Sequence, residues 1–149
     1  MGGGKLNTLM HLALVVILIA SLFGGFLQVS SSPLEHVTVY VNNNISPGTD
    51  MWVHCHSDDR DLGVQKVAFE QNFSWDFWLW IHMERSKRYW CHVWWLDSKG
   101  KFIDGTFDMY KGSRDIEGCG KQCSRFARLE GIYIVEGGKL EFAYPWNQK

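Results

Sequence analysis

The run MWVHCHSDDRDLG, Met51 to Gly63, gathers two histidines, a cysteine and three aspartates within thirteen residues. These side chains serve in zinc sites, calcium loops and acid–base catalysis, so each chemistry is tested against the spacing. His54 and His56 are two apart and share a face on a strand, while Cys55 points to the other. Two imidazoles supply only part of a tetrahedral zinc set, and His92 or Asp58 would have to complete it through the fold. Calcium fails on position. With Asp59 as the first ligand of a twelve-residue loop, Asp61 and Glu70 fall at positions 3 and 12. Gly63, however, stands at position 5 and Val64 where the loop requires glycine. Ser57 beside His56 and Asp58 has the letters of a hydrolytic triad, but neighbours at a strand end diverge in space. Neither a G-x-S-x-G elbow nor an H-E-x-x-H helix occurs. The expectation is therefore no catalytic residue, no metal ligand and no cofactor. The stretch reads as a cystine-bearing strand running into an acidic turn, with Asp58 and Asp59 bonding local backbone and Gly63 permitting the conformation. Arg60 offsets part of the acid charge.

The elements that must hold these residues are short and rich in β-branched and aromatic side chains. HVTVYV (36–41), MWVHCHS (51–57), VQKVAF (64–69), FSWDFWLWIH (73–82), RYWCHVWWL (88–96), KFIDGTFDMY (101–110), SRFARLE with GIYIV (124–135) and LEFAYPW (140–146) follow one another. Turn signals such as NNNISPGTD, DSKG, KGS and EGG separate them. Alternation of period two, with no sustained helical period, predicts an all-β fold: an antiparallel β-sandwich of about eight strands.

The start of the chain sets the compartment. Lys5 precedes the apolar run LALVVILIASLF (12–23), and Val29 and Ser31 suit the −3 and −1 positions of a signal-peptidase site. The run is short for a membrane span. Residues 1–31 are expected to be a signal peptide and 32–149 a single secreted domain with no membrane insertion after cleavage. Without Lys5, the mature part has 14 basic against 16 acidic residues, a net charge of −2. That leaves no basic footprint for nucleic acid.

In an oxidising compartment the four cysteines, Cys55, Cys91, Cys119 and Cys123, read as two disulfides with three possible connectivities. The ring CGKQC is one option. Longer loops constrain the unfolded chain more, which favours Cys55–Cys123 with Cys91–Cys119. Asn44 and Asn72 head N-glycosylation sequons, the first made poorer by Pro47.

The tryptophans raise a second possibility. If 73–82 and 88–96 pair as a hairpin, Trp78, Trp80, Trp90 and Trp94 share a face. An exposed row would suit a carbohydrate-binding module; otherwise they fill the sandwich core.

Taken together, the order HCH–SDDRDLG, FSWDFW, YWCHVWW, FDMY and CGKQCSRFARLEGIYI, closing on Trp146, resembles the plant self-incompatibility S-protein homologue family. The resemblance spans about 36–146. It implies a disulfide-bonded β-sandwich without catalytic activity, acting as a secreted, monomeric recognition ligand for a plasma-membrane receptor. In the founding, poppy-type members that role is the rejection of self pollen; most other members have no assigned role, with signalling in development or defence the expectation. One position departs: the family commonly carries Trp two residues after the last cysteine, where this chain has Arg125 followed by Phe126. Such a ligand reads its receptor through loops on a rigid scaffold. The charged loop KGSRDIEG, with Lys111, Arg114, Asp115 and Glu117, is the expected receptor-binding segment, and NNNISPGTD a second loop.

Overall fold

The computed structural model describes residues 7–8, 10–17, 34–80 and 85–147. The chain divides into two compact units, Met1–Ser32 and Pro33–Lys149. In the first, residues 10–17 are helical and exposed. Among the described residues no helix is long and apolar enough to cross a membrane. The expected cleavage site before Ser32, and Ile81 and His82 at the end of the expected fourth strand, lie outside the described residues.

The second unit is all-β with one short helix. Its strands are β1 (Leu34–Asn43), β2 (Met51–His56), β3 (Asp61–Val67), β4 (Asn72–Trp80), β5 (Arg88–Leu96), β6 (Phe102–Lys111), β7 (Gln122–Arg128), β8 (Gly131–Glu136) and β9 (Lys139–Pro145); α1 (Gly112–Gly118) joins β6 to β7. Two sheets form, one in the order β4-β1-β7-β8-β9 and the other β3-β2-β5-β6. The described strands thus number nine, because SRFARLE and GIYIV turn at Leu129–Glu130 into separate strands. The pairing is antiparallel except between β1 and β7, which run parallel.

Alternation decides what lies between the sheets. Val37, Val39 and Val41 of β1, Trp75, Phe77 and Leu79 of β4, and Met51, Val53 and Cys55 of β2 all face inward and are buried, as are Tyr89, Cys91, Val93 and Trp95 of β5. Rings cross the sandwich: Phe77 packs on Tyr89 at 5.0 Å and edge-on to Tyr110 at 4.9 Å. Each such fully buried side chain contributes about 1.5–3 kcal/mol.

The expected hairpin between 73–82 and 88–96 does not form. β4 is an edge strand of the first sheet, paired with β1, whereas β5 is central in the second, between β2 and β6. Both segments carry continuous inward apolar rows, so each can serve a different sheet, and local sequence does not say which.

The disulfides also differ from the expected pairing. Cys55 joins Cys91, and Cys119 joins Cys123. Cys55 and Cys91 are direct partners in the β2/β5 register, both inward, with Cα atoms 4.0 Å apart. Cys123 sits on β7 in the opposite sheet. Facing sheets lie about 10 Å apart, beyond the roughly 7 Å that a disulfide spans between Cα atoms. Cys119, at the end of α1, meets Cys123 across one turn, 5.1 Å between Cα atoms.

Candidate functional site

The HCH stretch lies on β2, and its outward side chains meet those of β5. Antiparallel register sets Trp52 opposite Trp94, His54 opposite His92 and His56 opposite Trp90. All six are half-buried. The outer face of the two central strands is therefore paved with aromatic rings between Arg88 and Leu96. Contacts bind the paving together: His56 to Trp90 at 4.6 Å, His92 to Trp94 at 4.9 Å, and His54 to His56 at 5.2 Å. Arg88 lies over Trp90 at 5.4 Å and Lys66 over Trp52 at 5.8 Å, positions that the ring quadrupole favours for cations.

Flanking strands complete the surface. Val64 and Lys66 of β3 oppose His54 and Trp52, and Asp104, Thr106 and Asp108 of β6 oppose Trp94, His92 and Trp90. His54 Nε2 meets Asp61 Oδ1 at 2.7 Å, and His92 Nε2 meets Asp104 Oδ2 at 3.2 Å. Lys66 pairs with Asp50 at 2.7 Å and Arg88 with Asp108. The patch carries four carboxylates against two fixed cations. Among the described residues no group of three or more His, Cys, Asp or Glu is placed to hold a metal ion.

The acidic turn holds this sheet's rim. Ser57 N donates to Arg60 O at 2.8 Å, closing the β2–β3 hairpin. Gly63, at φ +69°, donates its N–H to Asp61 Oδ1 at 2.8 Å. This backbone bond, followed by the His54 contact, holds the Asp61 carboxyl below the usual carboxylate value. Asp59 is lowered too, by the Ser57 hydroxyl and then by Lys87, whose ammonium is 3.0 Å away. Lys87 thus takes the part expected of Arg60, which instead reaches across to the Asp76 carbonyl at 3.2 Å.

The loop expected to bind a receptor is split by the structure. Of its four charged residues, Arg114 and Asp115 turn inward, while Lys111 and Glu117 stay exposed. Asp115, 3% exposed, accepts from Arg114 Nε and Nη2 at 2.7 Å each, and from the Lys111 backbone N–H at 2.8 Å; it also pairs with Arg125 Nη2 at 2.9 Å. Arg125 is fully buried and donates from Nε to Met109 O at 2.7 Å. Burial pushes its guanidinium below the ordinary arginine value, outweighing Asp115. For Arg114 burial acts the same way, but Asp115 overrides it and the group stands above that value. Arg114 also donates to the Tyr144 hydroxyl at 2.8 Å. The cause is packing: α1 turns Asp115 and Ile116 toward the core, and two of its charges are consumed there. Arg125 was marked in the sequence only as a departure. Its inward direction follows from β7 alternation, Cys123, Arg125 and Ala127 sharing the buried face.

The tryptophans separate into three groups. Trp75, Trp95 and Trp146 are buried in the core. Trp52, Trp90 and Trp94 pave the second sheet, while Trp78 and Trp80, 61% and 47% exposed, stand on the edge strand of the first. The row of four foreseen from a hairpin therefore does not exist. Asn44 and Asn72 are both exposed.

A rigid two-sheet sandwich with two disulfides and one aromatic outer face defines the class of small cystine-stapled β-domains. This chain belongs to the plant self-incompatibility protein S1 family, whose model matches residues 38–146. Relatives from Arabidopsis thaliana include S-protein homolog 18, 32% identical over 73% of each chain. S-protein homolog 5 is 30% identical over 88% of this chain and 91% of its own. S-protein homolog 19 is 28% identical over 93% and 94%. The fold is similar to a solved SPH (self-incompatibility protein homologue) structure, described as belonging to a widespread family of small, highly stable, secreted proteins from plants. That match has a TM-score of 0.50 and 21% identity, covering 76% of this chain and 96% of that one.

Proposed function

We propose that this chain is a secreted, non-enzymatic recognition ligand for a plasma-membrane receptor protein, and that it presents the outer face of the β3-β2-β5-β6 sheet to that receptor. Residues 1–31 act as its signal peptide. The observation that carries the reading is the ring-paved face itself, six half-buried aromatic side chains on strands clamped by Cys55–Cys91. Aromatic residues lose little conformational freedom on docking and dominate interface energetics. The cystine beneath holds them in place before contact, which lowers the ordering cost of binding. Lys111 pairs in register with Arg88 at one end of this sheet, so the exposed part of the KGSRDIEG segment borders the same surface. The receptor segment it suits is apolar and basic, complementary to rings rimmed by an excess of carboxylates.

The test is binding of the labelled, oxidised mature protein to plant membrane extracts, competed by unlabelled protein. Variant Val64→Arg/Thr106→Arg plants long chains at both exposed ends of the His54–His92 row without touching the core. Loss of competable binding supports the reading. Unchanged binding by this variant rejects the face, and absence of a captured membrane protein with the wild type rejects the ligand.

A further inference from the structure

We propose that Cys119–Cys123 is a thiol–disulfide exchange site, in which a low-mass thiol such as glutathione adds to Cys119 and the cystine opens without unfolding the domain. The two cystines have opposite surroundings. Cys55 and Cys91 are sealed between strands at 0% exposure each, whereas Cys119 is half-buried at the end of α1, beside exposed Gly120 and Lys121. The bridges also differ in their hold on the fold. A cross-link over 36 residues constrains the unfolded chain more than one closing over 4 residues, so the fold depends less on the second.

The chemistry comes from the buried charges beneath. Arg114 and Arg125 share one carboxylate, Asp115, which leaves a positive charge without its own anion. Of the nearby acids, Asp108 is engaged by Arg88 and Glu117 by Arg85, Lys121 pairs with Glu35, and Glu136 of β8 approaches the backbone at Gly118. Tyr144 meets Arg114 as a hydroxyl acceptor. Arg125 Nη2 lies 3.8 Å from Cys119 Sγ. A thiolate at Cys119 therefore neutralises charge that the folded protein already holds there, and such a cation stabilises thiolate over thiol.

The exchange runs in two displacements. A thiolate RS⁻ attacks Cys119 Sγ, forming the mixed disulfide, and the bond pair of Cys119–Cys123 passes to Cys123, which takes a proton. A second RS⁻ attacks the small-thiol sulfur of that mixed disulfide, releasing RSSR, and Cys119 leaves as a thiolate against Arg125. Two thiols are oxidised and one cystine is reduced. Access decides the first displacement, since Cys123 is fully buried and Cys119 is not; in the second, a more acidic leaving thiol departs faster, so Arg125 acts there as a positioning residue.

The test equilibrates the folded, oxidised protein with graded ratios of reduced to oxidised glutathione, traps thiols by alkylation and maps the peptides by mass. The expected result is Cys119–Cys123 open while Cys55–Cys91 stays closed, with the glutathione adduct on Cys119. In the half-reduced protein, Cys119 should alkylate with a midpoint at least one pH unit below the ordinary cysteine value of about 8.5. Arg125→Lys should keep that midpoint and Arg125→Gln should raise it. Opening of Cys55–Cys91 first or together, an adduct on Cys123, or an ordinary midpoint for wild-type Cys119 overturns the proposal; the wild-type profile stands without any variant.

Discussion

Replacing Asp115 by asparagine keeps the shape of the side chain and removes its charge. The structure sets the consequence: Arg125, fully buried, loses its ionic partner at 2.9 Å, and of the two Arg114 contacts at 2.7 Å only one can keep an acceptor oxygen, now without charge. Breaking a buried pair from one side leaves an uncompensated charge and costs about 3–5 kcal/mol. A domain of this size has roughly 5–15 kcal/mol in total, so Asp115→Asn removes a large share. The assay is equilibrium urea unfolding of the oxidised protein, followed by tryptophan fluorescence. Adding Arg125→Met should restore part of the loss, because the double variant no longer buries a lone guanidinium. A loss below about 1 kcal/mol for Asp115→Asn, or a double variant at least as unstable as the sum of the singles, would refute the view that the Asp115 carboxylate is what makes the two buried guanidinium groups tolerable.

Other outcomes follow from the same geometry. Removing Cys55–Cys91 by paired alanine substitution should cost about 4 kcal/mol and removing Cys119–Cys123 about 2 kcal/mol, compared by the same urea assay. Gly131→Ala should destabilise by about 1–3 kcal/mol or more: at φ +152° an added Cβ runs into the Tyr144 carbonyl and the Pro145 backbone, which a thermal melt would report. Asp59 and Asp61 have carboxyls lowered in the folded state, so their contribution is present above the ordinary carboxylate value and is lost as pH falls through the folded value. Urea midpoints between about pH 2 and 5 should fall more steeply for the wild type than for Asp59→Asn/Asp61→Asn.

Much of the scaffold was legible because period-two alternation is a local signal. The inward rows Val37-Val39-Val41 and Trp75-Phe77-Leu79 could be read directly, as could the opposite directions of Cys55 and its flanking histidines. Sheet assignment was not, since nothing local tells β4 to pair with β1 rather than with β5. The disulfide error has the same root. Loop entropy favours distant cysteines, but pairing is set by register, and register placed Cys55 opposite Cys91. The charged loop was legible only in part: charge alone does not distinguish Lys111 and Glu117, which face water, from Arg114 and Asp115, which pair with one another and, through Asp115, with Arg125. The ring-paved face was half visible in HCH and in WCHVWW, and needed β2 and β5 side by side to become one surface.

The most direct measurement is competition binding of Val64→Arg/Thr106→Arg beside Trp78→Ser/Trp80→Ser, both against labelled wild type on plant membrane extracts. A reading surface on the ring-paved face predicts that the first variant loses competition by at least tenfold while the second competes as the wild type does. Retained competition by the first and loss by the second would contradict it, and would move the reading surface to the β4 edge.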